Sequence, residues 1–126
     1  MLVGRSACEH GGVPVKWLGD GVMVHFRDPA GAVLAALQLV EVPAAGLPPA
    51  HVGVAAGPVV VQGGDYFGRT VNLAARIAAY ASAGQVLVSE RVVERVPPQG
   101  VSFIALGQVQ LKGIVHPVQL LEARRA

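Results

Sequence analysis

Asp65-Tyr66-Phe67-Gly68-Arg69-Thr70-Val71-Asn72-Leu73-Ala74-Ala75-Arg76-Ile77 is the stretch whose reading decides the fold. It starts inside a glycine-rich segment, 63–68, which reads as a turn. From about Thr70 the chain becomes Ala-rich and predicts a helix over 70–81 that stops near Gly84. Asn72 and Arg76 are four apart, so they share one face of that helix. Alone, such a pair is a solvated polar face. With Asp65 one turn ahead of it, the same face offers donors to a charged ligand, and a guanidinium suits phosphate oxygens.

The flanking sequence supplies the rest of the domain. Residues 13–18 and 22–26 are Val-rich runs around Gly19-Asp20-Gly21, which predicts a β-hairpin. Asp28-Pro29 reads as an N-cap followed by Pro at the first helical position. Val33, Leu34, Leu37 and Val40 then follow at helical spacing, predicting a helix over 29–41. The Ala/Pro-rich patch 42–50 reads as a loop. Residues 51–56 and 59–62 are strands around Gly57-Pro58, and 85–89 is another. Residues 90–95 are one helical turn, ended by Pro97-Pro98. Residues 101–111 and 115–121 read as a final antiparallel pair around Lys112-Gly113, with Arg124-Arg125 as a solvated tail. The order ββαββαβ(α)ββ is that of an α+β domain.

Composition sets the limits. The chain has 126 residues, 52% hydrophobic and 14% charged, with a net charge of +2. That length suits one domain, and so apolar a chain is not disordered as a whole. Sparse charge and 5% aromatics argue against a nucleic-acid surface. The single cysteine, Cys8, has no internal disulfide partner and fits a reduced, cytoplasmic setting. The most apolar stretch, 29–61, is broken by Pro43, Pro48, Pro49 and Pro58, so no membrane segment is expected. His10, His25, His51 and His116 lack metal-ligand spacing. There is no Walker-type loop and no Gly-x-Ser-x-Gly elbow.

With charge this scarce, its placement is informative. Of the five Asp and Lys residues, Asp20, Asp65, Lys16 and Lys112 lie in glycine-rich turns or at strand ends, where a small-molecule site would put them. The fifth, Asp28, is explained as a cap. Asp20, between two glycines, is good turn chemistry and also an exposed hard oxygen ligand for a metal-bound phosphate.

Together these residues resemble the class III nucleotidyl cyclase catalytic domain, the adenylate and guanylate cyclase homology domain. The similarity runs through Val15-Lys16-Trp17-Leu18-Gly19-Asp20-Gly21-Val22-Met23-Val24-His25-Phe26 and through 65–77. It continues in Gly84-Gln85-Val86-Leu87-Val88-Ser89, then in Leu106-Gly107 and Leu111-Lys112-Gly113. Order and spacing fit from about Gly11 to Ala123. The resemblance implies a ferredoxin-like core and an intracellular signalling reaction. In it the 3′-hydroxyl of ATP attacks the α-phosphate, giving cyclic AMP and pyrophosphate with two Mg²⁺ or Mn²⁺ ions. By position, Asp20 resembles a metal-binding aspartate, and Lys16 and Asp65 a base-selecting pair. A Lys donor and an Asp acceptor complement the adenine edge, which favours ATP over GTP. Asn72 resembles the residue that orients the ribose. Arg76 resembles the one that stabilises charge on the α-phosphate, and Lys112 the one that grips the terminal phosphates.

The resemblance also implies a first strand bearing a second metal-binding aspartate, in a segment similar to Phe-x-Asp-(Ile/Val)-x-Gly-(Phe/Ser)-Thr. Ahead of Lys16 stands one carboxylate, Glu9, in a segment that reads as the end of a helix. The expectation is a single, N-terminally incomplete cyclase homology domain over 1–126, lacking its first strand and helix. Its unpaired strand edges should seek a partner, as a homodimer or a heterodimer with another cyclase domain. Alone it should be inactive or weakly active. The alternative is a non-catalytic nucleotide-binding or regulatory partner of a full-length cyclase.

Overall fold

Val86, Leu87 and Val88 are buried in succession, which a strand satisfies only when both faces of its sheet are covered. The computed structural model describes residues 12–18, 21–41, 50–63, 65–97 and 99–126, with backbone alone for 12–18, 21–23, 65 and 66. In chain order they form β1 (Gly12–Leu18), β2 (Gly21–Phe26), α1 (Pro29–Glu41), β3 (Val52–Val54), β4 (Val60–Gln62) and β5 (Asp65–Phe67). Then follow α2 (Arg69–Tyr80), β6 (Val86–Ser89), α3 (Glu90–Arg95), β7 (Val101–Val109) and β8 (Val118–Arg125). A four-stranded sheet has the order β3-β6-β8-β7, with β3 and β6 parallel and the other pairs antiparallel. β1–β2 and β4–β5 are separate antiparallel ladders. α1 packs on β2 and also on β3, β6 and β8, so it joins the first hairpin to the main sheet. The mixed α+β architecture is as expected.

Strand alternation sorts the core into two layers. Val86 and Val88 join Val33, Ala36 and Leu37 of α1, and Val92 of α3, on one face. Leu87 points the other way, into a cluster with Ile77 and Ala81, Leu111 and Leu120. Full burial of Ile77, Leu87 and Leu120 contributes about 1.5–3 kcal/mol each.

The α2 layer approaches unusually closely. Gly53 is the middle residue of β3 and faces α2, between Val52 and Val54, which pack in the opposite cluster. A β-carbon built on Gly53 would collide with the Ala78 amide nitrogen and sit 2.6 Å from the Ala74 carbonyl oxygen and 2.8 Å from the Ala78 Cα. Strand backbone therefore lies directly on helix backbone. His51, read from sequence as a non-ligand histidine, donates from Nδ1 to the Ala78 carbonyl oxygen at 2.6 Å. This ties β3 to the last turn of the same helix.

The helix over 29–41 forms with the expected bounds, and the Asp28 carboxylate accepts from the Ala30 N–H at 3.1 Å. Three expectations need correction. Segment 63–68 is not one turn: β4 ends at Gln62, and Asp65–Phe67 pairs back on Val60–Gln62. The last pair does turn tightly at Lys112-Gly113, where the Ile114 N–H bonds to the Leu111 carbonyl, but its strands stop short of that turn, because β7 ends at Val109 and β8 begins at Val118. Arg124 and Arg125 are not a solvated tail, since they pair in β8 with Ser102 and Val101. Arg125 Nε also donates to both Glu41 carboxylate oxygens, at 2.9 and 2.6 Å. The Ala/Pro-rich loop, 42–49, lies outside the described residues.

Two predictions follow the packing. Gly53→Ala is expected to destabilise by about 3 kcal/mol, because backbone on both sides cannot yield as a side chain would. Chemical denaturation giving a loss below about 1 kcal/mol would contradict the backbone-on-backbone contact. The hydrogen bond from Arg125 holds the Glu41 carboxyl below its ordinary value. The pair therefore stabilises above the unfolded Glu pKa and stops doing so as pH falls through the lowered folded value. Both side chains are about half exposed, so Glu41→Gln should cost only about 0.5 kcal/mol at pH 7. Wild type and variant should converge in stability under acid.

Candidate functional site

Helix α2 presents Asn72 and Arg76 on one face, and both are exposed. The helix is held at its start as well as on Gly53. The Thr70 hydroxyl donates to the Pro58 carbonyl at 2.8 Å, and a β-carbon on Gly57 would come within 2.6 Å of that hydroxyl oxygen. Ile77, next to Arg76, is fully buried. The root of Arg76 is thus fixed by the core while its guanidinium lies outside.

Lys112 and Gly113 sit in the connection between β7 and β8. Leu111 is 3% exposed and belongs to the Ile77 cluster. The Ile114 N–H donates to the Leu111 carbonyl at 3.1 Å, and Gln110 Nε2 donates to the Ile114 carbonyl at 2.5 Å. The turn is therefore pinned by one buried side chain and two hydrogen bonds. Gly113 has φ +79°. A β-carbon on it would lie 3.6 Å from both Nε and Nη2 of Arg76 and 3.8 Å from its Cζ. The structure thus brings the Arg76 guanidinium onto the turn that carries Lys112, which is itself exposed. Among the described residues the ion pairs are Arg124–Glu122 and Arg125–Glu41. Neither Arg76 nor Lys112 spends its charge on a carboxylate there.

The base-selecting candidates are placed by their strands. Lys16 lies on β1 opposite Met23, next to a register shift after Pro14. Asp65 opens β5 opposite Gln62. β5 lies against both β1 and α2, so the strand carrying Asp65 is next to the strand of Lys16 and also to the helix that bears Asn72. Asp20 and Glu9 lie outside the described residues. Among the described residues no three of His, Cys, Asp and Glu gather as a metal site would require. Those residues alone do not make a divalent-ion centre.

Sequence reasoning named Asn72, Arg76 and Lys112 but gave no roles to Gln110 and Gly113. Only contact between the turn and α2 shows what these two do. A shallow hollow between α3 and the β7–β8 pair, lined by Glu90, Val93, Glu94, Gln108, Gln119 and Leu121, contains none of the candidates. No described helix is long and apolar enough to cross a membrane.

Comparison with known proteins identifies the family and the fold. Residues 8–121 match the adenylate and guanylate cyclase catalytic domain. The chain is 40% identical over 114 residues to an uncharacterised protein of Mycobacterium bovis, covering 89% of this chain and 30% of that protein. It is 37% identical over 117 residues to a pH-sensitive adenylate cyclase of Mycobacterium tuberculosis, covering 88% and 30%. The chain therefore spans about a third of the length of these relatives. An adenylate/guanylate cyclase/hydrolase structure from Silicibacter pomeroyi superimposes with a TM-score of 0.81 at 27% identity, covering 97% of this chain and 78% of that one. An adenylate cyclase of Trypanosoma brucei, solved in its monomeric state, shares the fold with a TM-score of 0.85 at 21% identity, covering 98% and 74%.

Leu111→Ala is expected to cost about 3 kcal/mol, the usual loss for emptying a buried Leu site. A change in the denaturation midpoint worth less than about 1 kcal/mol would show that the turn is not rooted in the α2 cluster.

Proposed function

The chain belongs to the adenylate and guanylate cyclase catalytic-domain family, and we propose that it binds ATP for conversion to cyclic AMP and pyrophosphate. The observation that carries this reading is the Arg76 guanidinium lying on the Lys112-bearing turn. The Arg76 guanidinium and the backbone that bears Lys112 come together from distant parts of the sequence, and a polyphosphate is the ligand that such a pair of cations would complement. In this reading Arg76 faces the α-phosphate and Lys112 the terminal phosphates. Asn72, one helical turn before Arg76, orients the ribose. The proximity of β1 and β5 supports Lys16 and Asp65 as the pair that reads the adenine edge.

Domains of this family generally use divalent metal ions, which acidify the attacking hydroxyl and neutralise phosphate charge. Asp20 is the residue this chain would offer to them. Family sites form between two chains, one supplying both metal-binding aspartates and the other the base-selecting and transition-state residues. On that logic this chain contributes the second half of a site, as a homodimer or beside another cyclase domain. Val60 and Val61 on the β4–β5 hairpin, 57% and 60% exposed, give it apolar surface for such pairing. The second reading is a nucleotide-binding partner that performs no chemistry alone, for which Arg76 on the Lys112-bearing turn would serve phosphate binding equally well.

The test has two arms. The chain should bind Mg-ATP in calorimetry, and Arg76→Ala should weaken binding by about tenfold, as expected for losing one charge-assisted phosphate contact. Undiminished binding in that variant would remove the basis of the proposal. In the second arm the chain is mixed with a cyclase whose own Asn and Arg at the matching positions are replaced. Cyclic AMP formation by the mixture supports the catalytic reading. Binding without turnover supports the second.

A further inference from the structure

We propose that Gly113 is a positioning residue for Arg76, its bare backbone being the seat across which the guanidinium lies. The ligand named in this inference rests on the ATP reading above, whereas the contact itself does not. Arg76 is exposed, and a long exposed side chain normally samples many rotamers, so offering its charge in one direction costs conformational entropy. Here that freedom is cut from both ends. The root of Arg76 is fixed because Ile77 is fully buried. The seat is fixed because Leu111 is buried in the same cluster and the Gln110–Ile114 and Ile114–Leu111 hydrogen bonds close the turn. Helix and turn are thus registered to each other through one apolar cluster, and the guanidinium spans the short gap between them.

The distances show how closely the guanidinium lies on the turn. A methyl group at 113 would make ordinary contact with it, at 3.6 Å from Nε and Nη2. A polar group one bond further out would be within reach of the guanidinium. The backbone narrows the choice further, because φ +79° is tolerated best by Gly, then by Asn and Asp. Gly113→Asp can therefore keep the turn while placing a carboxylate against Arg76. It would turn the cation inward, away from any bound anion. Gly113→Asn has the same shape without the charge.

The Arg76 Nε–Hε signal of the ¹⁵N-labelled chain, identified by its disappearance in Arg76→Ala, reads the contact directly. Both Gly113→Asp and Gly113→Asn should move that signal. Gly113→Asp should also weaken inorganic tripolyphosphate and ATP by about tenfold, but change affinity by less than about twofold when added to Arg76→Ala, since residues acting through one contact are non-additive. Gly113→Ala, whose methyl makes only ordinary contact with the guanidinium, should lower stability through backbone strain and gauges that strain apart from the added carboxylate. An unmoved Arg76 signal in the Asp and Asn variants overturns the proposal. So does a Gly113→Asp loss that persists in full without Arg76. Should the unaltered chain bind neither anion, the ATP reading falls, while the Arg76 signal still decides the contact.

Discussion

The approach of α2 to β3 at Gly53 is the constraint on which the other placements depend. A helix normally rests on a sheet through two layers of side chains. Here one layer is missing, because a β-carbon on Gly53 would run into the Ala78 amide and the Ala74 carbonyl. That close seating sets the depth of α2 on the sheet. It also brings the Ala78 carbonyl within reach of His51 and lets Ile77, Leu87, Leu111 and Leu120 close into a single cluster. Because Leu111 is in that cluster, the β7–β8 connection comes down onto the same helix. The contact between Arg76 and Gly113 is thus a consequence of an alanine-lined helix on a glycine.

The small residues explain why helix identity was easy to read and helix contacts were not. The Ala-rich run after Gly68 and the Asp28-Pro29 start of α1 are local signals, set by capping and period, and both helices are where those signals put them. The packing partner of α2 carries no local signal, since Gly53 reads equally well as a weak strand residue. The misread segment 63–68 has a similar cause. Six residues with three glycines look like one turn, yet β4 and β5 pair over only three residues each, too short a run for alternation to declare itself. By charge and terminal position, Arg124 and Arg125 look like a tail. Their place is decided by partners distant in sequence, the start of β7 and Glu41.

The candidate site divides along the same line. Asn72 and Arg76 are legible as a pair because helical spacing alone puts them on one face. Lys112 stands out as scarce charge beside a glycine, but its role is legible only through resemblance to a family, because nothing in its own neighbourhood says what it faces. The structure supplies the missing physical link for Lys112, through Gly113, and places β1 beside β5 for Lys16 and Asp65. For Asp20 it supplies none, since that residue lies outside the described part of the chain.

What organises this site is apolar packing more than electrostatics. Two cations brought to one turn repel each other, and no carboxylate among the described residues offsets that cost. Such an arrangement persists in the unliganded fold only if something else holds its parts together. Ile77 and Leu111 do so, each adjacent in sequence to one of the cations and both buried in one cluster. Burial at this scale outweighs the repulsion of two water-exposed charges, which solvent and salt screen to about 1 kcal/mol or less. A bound anion would therefore find the segments that carry the two cations already registered to each other and would not have to meet the cost of bringing them together, which is the physical content of preorganisation.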